Sequence, residues 1–216
     1  MARVIELHKS VTESNDRDAE VLRQELREKG MLLINLMSSP GSGKTTLLSR
    51  TITDMNHELP IAVLEADIES DVDAVKIEAL GAKSVQVHTD GMCHMDAGMT
   101  RTGLEGMELD GIRIAFLENV GNLICPAEFD TGAHKNVMIL SVPEGDDKPL
   151  KYPLMFSMCD ALVITKMDTK DFFTFDLNLC MEHVKKLNPD VKIFPVSAKT
   201  GEGMDAWEEY LKKEVF

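Results

Sequence analysis

Seven short aliphatic runs punctuate this chain, and the stretches between most of them carry apolar residues at helical spacing. The runs at 31–36, 61–67, 84–88, 112–118, 136–142, 160–166 and 191–196 predict strands. Each is nearly continuous in aliphatic character, the pattern of a strand covered on both faces. Residues 12–29 are highly charged, with Ala19, Leu22 and Leu26 on one helical stripe and Gly30 as a stop signal. Further helices are predicted from about residue 46 onward and over 71–80, 96–106, 149–158, 171–187 and 203–213, with a loop at 89–95. Strands alternating with helices imply an α/β fold, a mostly parallel sheet with helices on both faces. No repeat, low-complexity tract or linker interrupts it. The expectation is a single domain over residues 1–216, with residues 1–30 as an N-terminal helical extension.

The junction after the first strand is the most informative. Residues 37–46 read MSSPGSGKTT and lie between an apolar run and a helical stretch, the arrangement of a P-loop in a P-loop NTPase fold. Such a loop wraps a phosphate in backbone N–H groups at the positive end of a helix. Gly41, Ser42, Gly43 and Thr46 belong to that cradle. Lys44 is placed to reach the β- and γ-phosphates, and Thr45 to ligate Mg²⁺. The general pattern asks for Gly six places before Lys44, where this chain has Ser38. Gly41 and Gly43 still allow the tight turn.

Composition narrows the partners. Against 23 basic residues stand 37 acidic ones, a net charge of −14, which opposes binding to nucleic acid or to an anionic membrane surface. No apolar stretch approaches a membrane span, and the first residues lack a secretory h-region. Four cysteines are too few for a disulfide scaffold in a chain of this size. The expectation is a soluble cytoplasmic enzyme.

Two later strand ends specify the base. One strand runs into Thr165-Lys166-Met167-Asp168, and another into Ser197-Ala198-Lys199, resembling the guanine-reading motifs of GTPases. A carboxylate such as Asp168 accepts hydrogen bonds from guanine N1–H and the 2-amino group, which adenine cannot supply, and the mismatch is costly. Lys166 would lie along the base plane, and the backbone at Ala198 and Lys199 would meet the guanine carbonyl. Thr165 stands where Asn is commoner. GTP and GDP are the expected ligands. Between the motifs, Glu118-Asn119-Val120-Gly121 occupies the switch position. Glu118 can hold Mg²⁺ there and Gly121 can offer its N–H to the γ-phosphate. Asp67 is a second carboxylate for Mg²⁺ or for a water, so Lys44, Asp67 and Glu118 form the candidate catalytic group. No in-chain arginine finger is evident, and Lys148, in the polar turn 144–149, is a cation that a partner subunit can supply in trans.

Cys93 and His94 are adjacent, and Cys125 follows the switch strand. Thiolate with imidazole suits borderline metals such as Ni²⁺ and Zn²⁺. Three ligands leave a site open, and a two-fold dimer would bring a second set to the same place. On the residues alone, buried inert cysteines fit as well. Cys159 and Cys180 lie in apolar sequence and read as core.

Taken together, segments 35–45 (NLMSSPGSGKT), 65–67 (EAD), 93–97 (CHMDA), 118–128 (ENVGNLICPAE) and 144–153 (EGDDKPLKYP) resemble the nickel-incorporation GTPases of hydrogenase maturation, the HypB family, over essentially the whole chain. That family also shows Ser at the first P-loop position. The resemblance implies a GTPase and metallochaperone that forms a homodimer in its GTP state and helps deliver nickel to the [NiFe]-hydrogenase large-subunit precursor, alongside a partner nickel metallochaperone. It also implies a nickel or zinc site at the dimer interface built from Cys93, His94 and Cys125. The Cys-rich or His-rich N-terminal segment of some members has no counterpart in this sequence. The alternatives are a urease accessory GTPase, whose Cys-Pro-His arrangement is absent here, a metal-independent P-loop kinase, and a nucleotide-gated scaffold.

Overall fold

The structure, a computed structural model, describes the backbone of residues 7–67, 72–89 and 91–216, and the side chains of 13–66, 75–89 and 91–216. Seven strands form one sheet: β1 (Leu32–Ser38), β2 (Ile61–Asp67), β3 (Lys83–His88), β4 (Ile114–Glu118), β5 (Lys135–Ser141), β6 (Ala161–Thr165) and β7 (Lys192–Pro195). Their order is β3-β2-β4-β1-β5-β6-β7, and every pairing is parallel. The helices are α1 (Leu7–Glu28), α2 (Lys44–Met55), α3 (Val72–Ala79), α4 (Ala97–Glu105), α5 (Lys148–Lys151), α6 (Pro153–Met158), α7 (Leu177–Leu187) and α8 (Met204–Glu214).

The aliphatic runs become strands because covering both sheet faces removes almost all of their surface from water. All seven positions of β1 are buried. One face packs against α2 and α8, with Ile34, Leu36, Val63, Phe116 and Val163 meeting Leu48, Ile52 and Trp207. The buried indole N–H of Trp207 donates to Thr51 Oγ1 at 3.1 Å, which satisfies both groups. Across the sheet, α1 and α4 cover Leu33, Leu64 and Leu117, whereas α6 and α7 cover Met138, Leu140 and Leu162. In α1 the predicted stripe of Ala19, Leu22 and Leu26 is buried.

Several boundaries differ from the sequence expectation. The helix predicted over 149–158 is two short helices, because Pro153 has no N–H to continue the first and disfavours a helical Tyr152. The helix predicted from 171 starts only at Leu177: residues 167–172 make a 3₁₀ turn, and the Asp176 carboxylate caps α7 by accepting from Leu179 N–H at 3.1 Å. The strand predicted over 160–166 stops at Thr165 because Lys166 turns into the left-handed region at φ 60°. The strand predicted over 112–118 begins at Ile114.

Candidate nucleotide site and metal-ligand loops

The P-loop connects the buried end of β1 to the first turn of α2. Gly41 (φ 74°) and Gly43 (φ 93°) take left-handed conformations that a side chain would strain. Gly43 is the residue immediately before α2, so the turn aims the N–H groups of the first helical turn into one concavity. The Lys44 ammonium donates to Ser38 Oγ at 2.8 Å, and that hydroxyl donates to Ser39 C=O at 2.8 Å. Ser38 therefore anchors the lysine in place of a backbone glycine. The Ser42 hydroxyl is buried with no hydrogen-bond partner among the described residues, as an oxygen awaiting a ligand in a phosphate cradle would be. Thr45 Oγ1 donates to Glu118 Oε1 at 3.1 Å. A hydroxyl and a carboxylate thus meet where Mg²⁺ would sit, with oxygen donors of the kind that ion prefers. The side chain of Asp67, the third predicted magnesium ligand, lies outside the described residues; its backbone ends β2.

The base-reading segments close over the same loop. Thr165 Oγ1 donates to Ser42 C=O at 2.6 Å, and the Lys166 ammonium donates to Gly41 C=O at 2.7 Å. Thr165 thus ties strand β6 to the P-loop directly, the loop-stabilising contact its short side chain can reach. Asp168 Oδ1 accepts from Ser197 Oγ at 2.8 Å, which fixes the carboxylate against the loop of Ala198 and Lys199. Ser197 N–H donates to Glu202 C=O and Gly201 N–H to Ser197 C=O, both at 2.8 Å, so that loop is internally braced. A cavity of about 270 Å³ is lined by Gly43, Thr46, Thr165, Lys166, Asp168, Thr169, Ala198 and Lys199. Beside it a cavity of about 420 Å³ is lined by Gly41, Gly43, Lys44, Thr45, Thr46, Glu118 and Lys166. Gly43, Thr46 and Lys166 line both, so the two cavities adjoin along the P-loop. Thr169 belongs to no sequence motif; it enters because the 3₁₀ turn of residues 167–172 carries it into the wall.

Gly121 lies against the P-loop. A Cβ there would come within 3.0 Å of Pro40 Cγ and 3.1 Å of Pro40 N. Lys148 lines neither cavity; its ammonium is 3.6 Å from Glu144 Oε1. Glu144 is held in turn by Ser141, whose N–H and hydroxyl both donate to its Oε2 at 2.8 Å.

The three predicted soft-metal ligands come from two loops, one between β3 and α4 and one after β4. Cys93 is exposed and Cys125 half-buried. The neighbouring Cys125 thiol, together with some burial, pushes Cys93 upward. A bound cation would reverse that, because thiolates side by side are stable only with positive charge between them. His94 Nδ1 is 3.9 Å from Cys93 Sγ, its ring is stacked at 3.8 Å on Phe129, and burial pushes it downward, toward the neutral form that ligates metals. Among the described residues no group of three or more His, Cys, Asp or Glu side chains is arranged to hold a metal ion, so the three predicted ligands are not gathered into a metal site within one chain. Burial drives Cys159 and Cys180 up to about 12, which leaves them inert. Phe129 had no sequence signal beyond following segment 118–128, and Asn119, inside the switch segment, was assigned no role by it.

Known proteins match most of this chain. The model of the CobW/HypB/UreG nucleotide-binding domain matches residues 32–195. Hydrogenase maturation factor HypB of Azotobacter chroococcum mcd 1 is 44% identical over 214 residues, 99% of this chain and 70% of the relative. The crystal structure of HypB from Archaeoglobus fulgidus superposes with a TM-score of 0.87 at 36% identity, over 93% of this chain and 98% of that one. HypB from Helicobacter pylori in complex with nickel gives 0.88 at 35% identity, over 93% and 94%. The P-loop at the end of β1, the carboxylate pocket at the end of β6 and the relatives spanning nearly the whole chain place this protein in the CobW/HypB/UreG family of nucleotide-binding domains, among the HypB hydrogenase maturation factors.

Proposed function

We propose that the chain is a GTP-hydrolysing metallochaperone that carries nickel, or zinc in its place, and assists nickel insertion into the [NiFe]-hydrogenase large-subunit precursor. The observation that carries this reading is the joining of two cavities through Gly43, Thr46 and Lys166, one bearing a fixed carboxylate and the other a phosphate cradle. Asp168 selects guanine, Lys166 supports the base, and Lys44 with the N–H groups of the P-loop holds the phosphates. Thr45, Glu118 and Asp67 would hold Mg²⁺, which neutralises charge on the β- and γ-phosphates when bound. Glu118 positions the Thr45 hydroxyl, and Gly121 presents its N–H to the γ-phosphate side. Without a cation in trans, such as Lys148 of a second copy, turnover is slow. The metal cargo is held by Cys93, His94 and Cys125, and a homodimer formed in the GTP state completes the ligand set. The work is cytoplasmic, and no described helix is long and apolar enough to cross a membrane. A partner metallochaperone supplies the nickel; neither nucleic acid nor membrane takes part. Binding of GDP, ADP, Ni²⁺ and Zn²⁺ to purified protein, with mass in solution and Mg²⁺-dependent phosphate release from GTP, tests the reading. Tight GDP with weak ADP binding, and Ni²⁺ binding lost in Cys93→Ala, support it. Equal affinity for GDP and ADP would overturn the GTPase assignment, and indifference of Ni²⁺ binding to Cys93→Ala would overturn the cargo assignment.

A further inference from the structure

Three asparagines lie side by side across the sheet, two of them buried and Asn136 half-buried. Asn136 on β5, Asn35 on β1 and Asn119 just past β4 are linked by side-chain hydrogen bonds: Asn35 Nδ2 donates to Asn136 Oδ1 at 2.9 Å, and Asn119 Nδ2 donates to Asn35 Oδ1 at 3.1 Å. Asn35 and Asn119 are each 1% exposed. Burying carboxamides across a sheet of Leu, Ile and Val brings a desolvation penalty that aliphatic side chains would avoid. The row ends on a loop that carries chemistry. Asn119 Oδ1 accepts from Val120 N–H at 2.9 Å and from Met95 N–H at 3.2 Å. Two backbone donors converging there require the oxygen, and they fix the orientation of the whole row.

These contacts join two sites. Met95 is fully buried and directly follows Cys93 and His94. Asn119 directly follows Glu118, which accepts from Thr45, and its own N–H donates to Leu36 C=O on the P-loop strand at 3.1 Å. Two residues further on, Gly121 abuts Pro40 within the P-loop. One oxygen therefore grips the segment that touches the phosphate cradle and the loop that presents the thiol and imidazole. Asn122 adds an outer contact, Nδ2 to Cys93 C=O at 3.4 Å.

We propose that the buried Asn119 carboxamide is the positioning residue through which nucleotide-dependent movement of residues 118–121 reaches the Cys93–His94 loop and sets its affinity for a soft divalent cation. Asn119 touches neither nucleotide nor metal. It makes the two loops move as one body, because a packed and fully hydrogen-bonded junction shifts rather than stretches. The inference rests on the proposed coupling of nucleotide state to metal binding, and it names the bond that transmits it.

The test measures Ni²⁺ affinity by competition with a chromophoric chelator, for full-length wild type and Asn119→Ala, each with GDP and with a non-hydrolysable GTP analogue. Wild type should show a ratio between the two states of at least about fivefold, the lower range of site-to-site coupling. In Asn119→Ala the ratio should fall to within about twofold, while GDP affinity and Cys93-dependent Ni²⁺ binding persist. A role in stability alone would lower the melting temperature and leave the ratio intact. Undiminished coupling in the variant would overturn the inference. No coupling in wild type would instead overturn the reading on which it rests. Hydrogen exchange over residues 93–97 of wild type gives a second answer if the variant does not fold. Protection should change between the two nucleotide states, and identical protection alongside coupled Ni²⁺ affinity would overturn the proposal.

Discussion

Gly121→Ala is the sharpest perturbation of the switch segment. The added Cβ would sit 3.0 Å from Pro40 Cγ, 3.1 Å from Pro40 N and 3.2 Å from Pro40 Cα. Two of these are backbone atoms and the third belongs to a closed ring, so no rotamer change relieves them. Either the P-loop or residues 119–122 must shift by a few tenths of an ångström. Overpacking of this kind costs about 2 kcal/mol, which for a chain of this size lowers Tm by about 4–8 °C. The P-loop holds the phosphates, so both nucleotides should bind more weakly. The GTP analogue should lose about tenfold more than GDP, equivalent to about 1.4 kcal/mol, because on the proposed reading only its γ-phosphate meets the Gly121 N–H. Scanning calorimetry of the nucleotide-free protein and titration calorimetry with both nucleotides measure the two effects separately. Wild-type Tm together with wild-type affinities would refute the reasoning, since the segment would then be slack against the P-loop.

Asp168→Asn should weaken GDP binding by about tenfold or more, since a hydrogen bond to a charged group contributes about 1.5–3 kcal/mol; titration of GDP and of xanthosine diphosphate should show the preference moving toward the latter, whose 2-oxo group accepts from an amide. His134 is held as neutral imidazole, with Nε2 2.9 Å from Arg23 C=O and Nδ1 accepting from Leu33 N–H at 3.0 Å, and burial pushes it downward. Its stabilisation is present above about pH 6.5 and is lost as pH falls through the lowered native value, so the melting temperature of wild type should fall more steeply from pH 7 to pH 5 than that of His134→Gln. Glu208 is driven up to about 7 by burial and then by its hydrogen bond to Asp54. The native state therefore holds an extra proton between the ordinary carboxylate value and about 7, and stability declines as pH rises across that window. Glu208→Gln should raise the melting temperature at pH 8 and change it little at pH 5, measured by thermal denaturation across that range.

The strand–helix alternation and the nucleotide site were legible because their signals are local. A continuous aliphatic run can be buried on both faces only in a covered parallel sheet, and Gly41 and Gly43 stand where left-handed backbone is required. Lys166, Asp168 and Ser197 were legible because a strand end fixes where its next residues point. The helix breaks at Pro153 and Asp176 also carry local signals, a proline and an aspartate cap. What the sequence hid depends on contacts between distant segments. Asn35, Asn119 and Asn136 are unremarkable singly, and only the strand order β4-β1-β5 sets them in a row. Phe129 under His94 is likewise a product of two loops meeting. Cys93 and Cys125 are candidate ligands by residue type alone, and among the described residues no three His, Cys, Asp or Glu side chains are arranged to hold a metal ion.

The topology explains why one bond can serve two sites. In parallel α/β sheets ligands gather beyond the carboxyl ends of the strands, near the point where the strand order reverses. Here β1 and β4 are adjacent, so the P-loop and residues 118–121 leave the sheet side by side. Cys93 and His94 follow β3, an edge strand separated from β4 by β2. To place them beside Cys125 the chain must cross back over the end of β2, and a crossing loop with no strand partner needs an anchor at its far side. Met95 N–H on Asn119 Oδ1 is that anchor, together with Asp96 capping α4 through Met99 N–H at 2.8 Å. The anchor could have been placed on any fixed element of the sheet. On the proposed reading, its position on the residue after Glu118 would make the Cys93–His94 loop a dependant of the segment beside the P-loop, and a loop tied to β5 or β6 would carry the same residues without following the nucleotide.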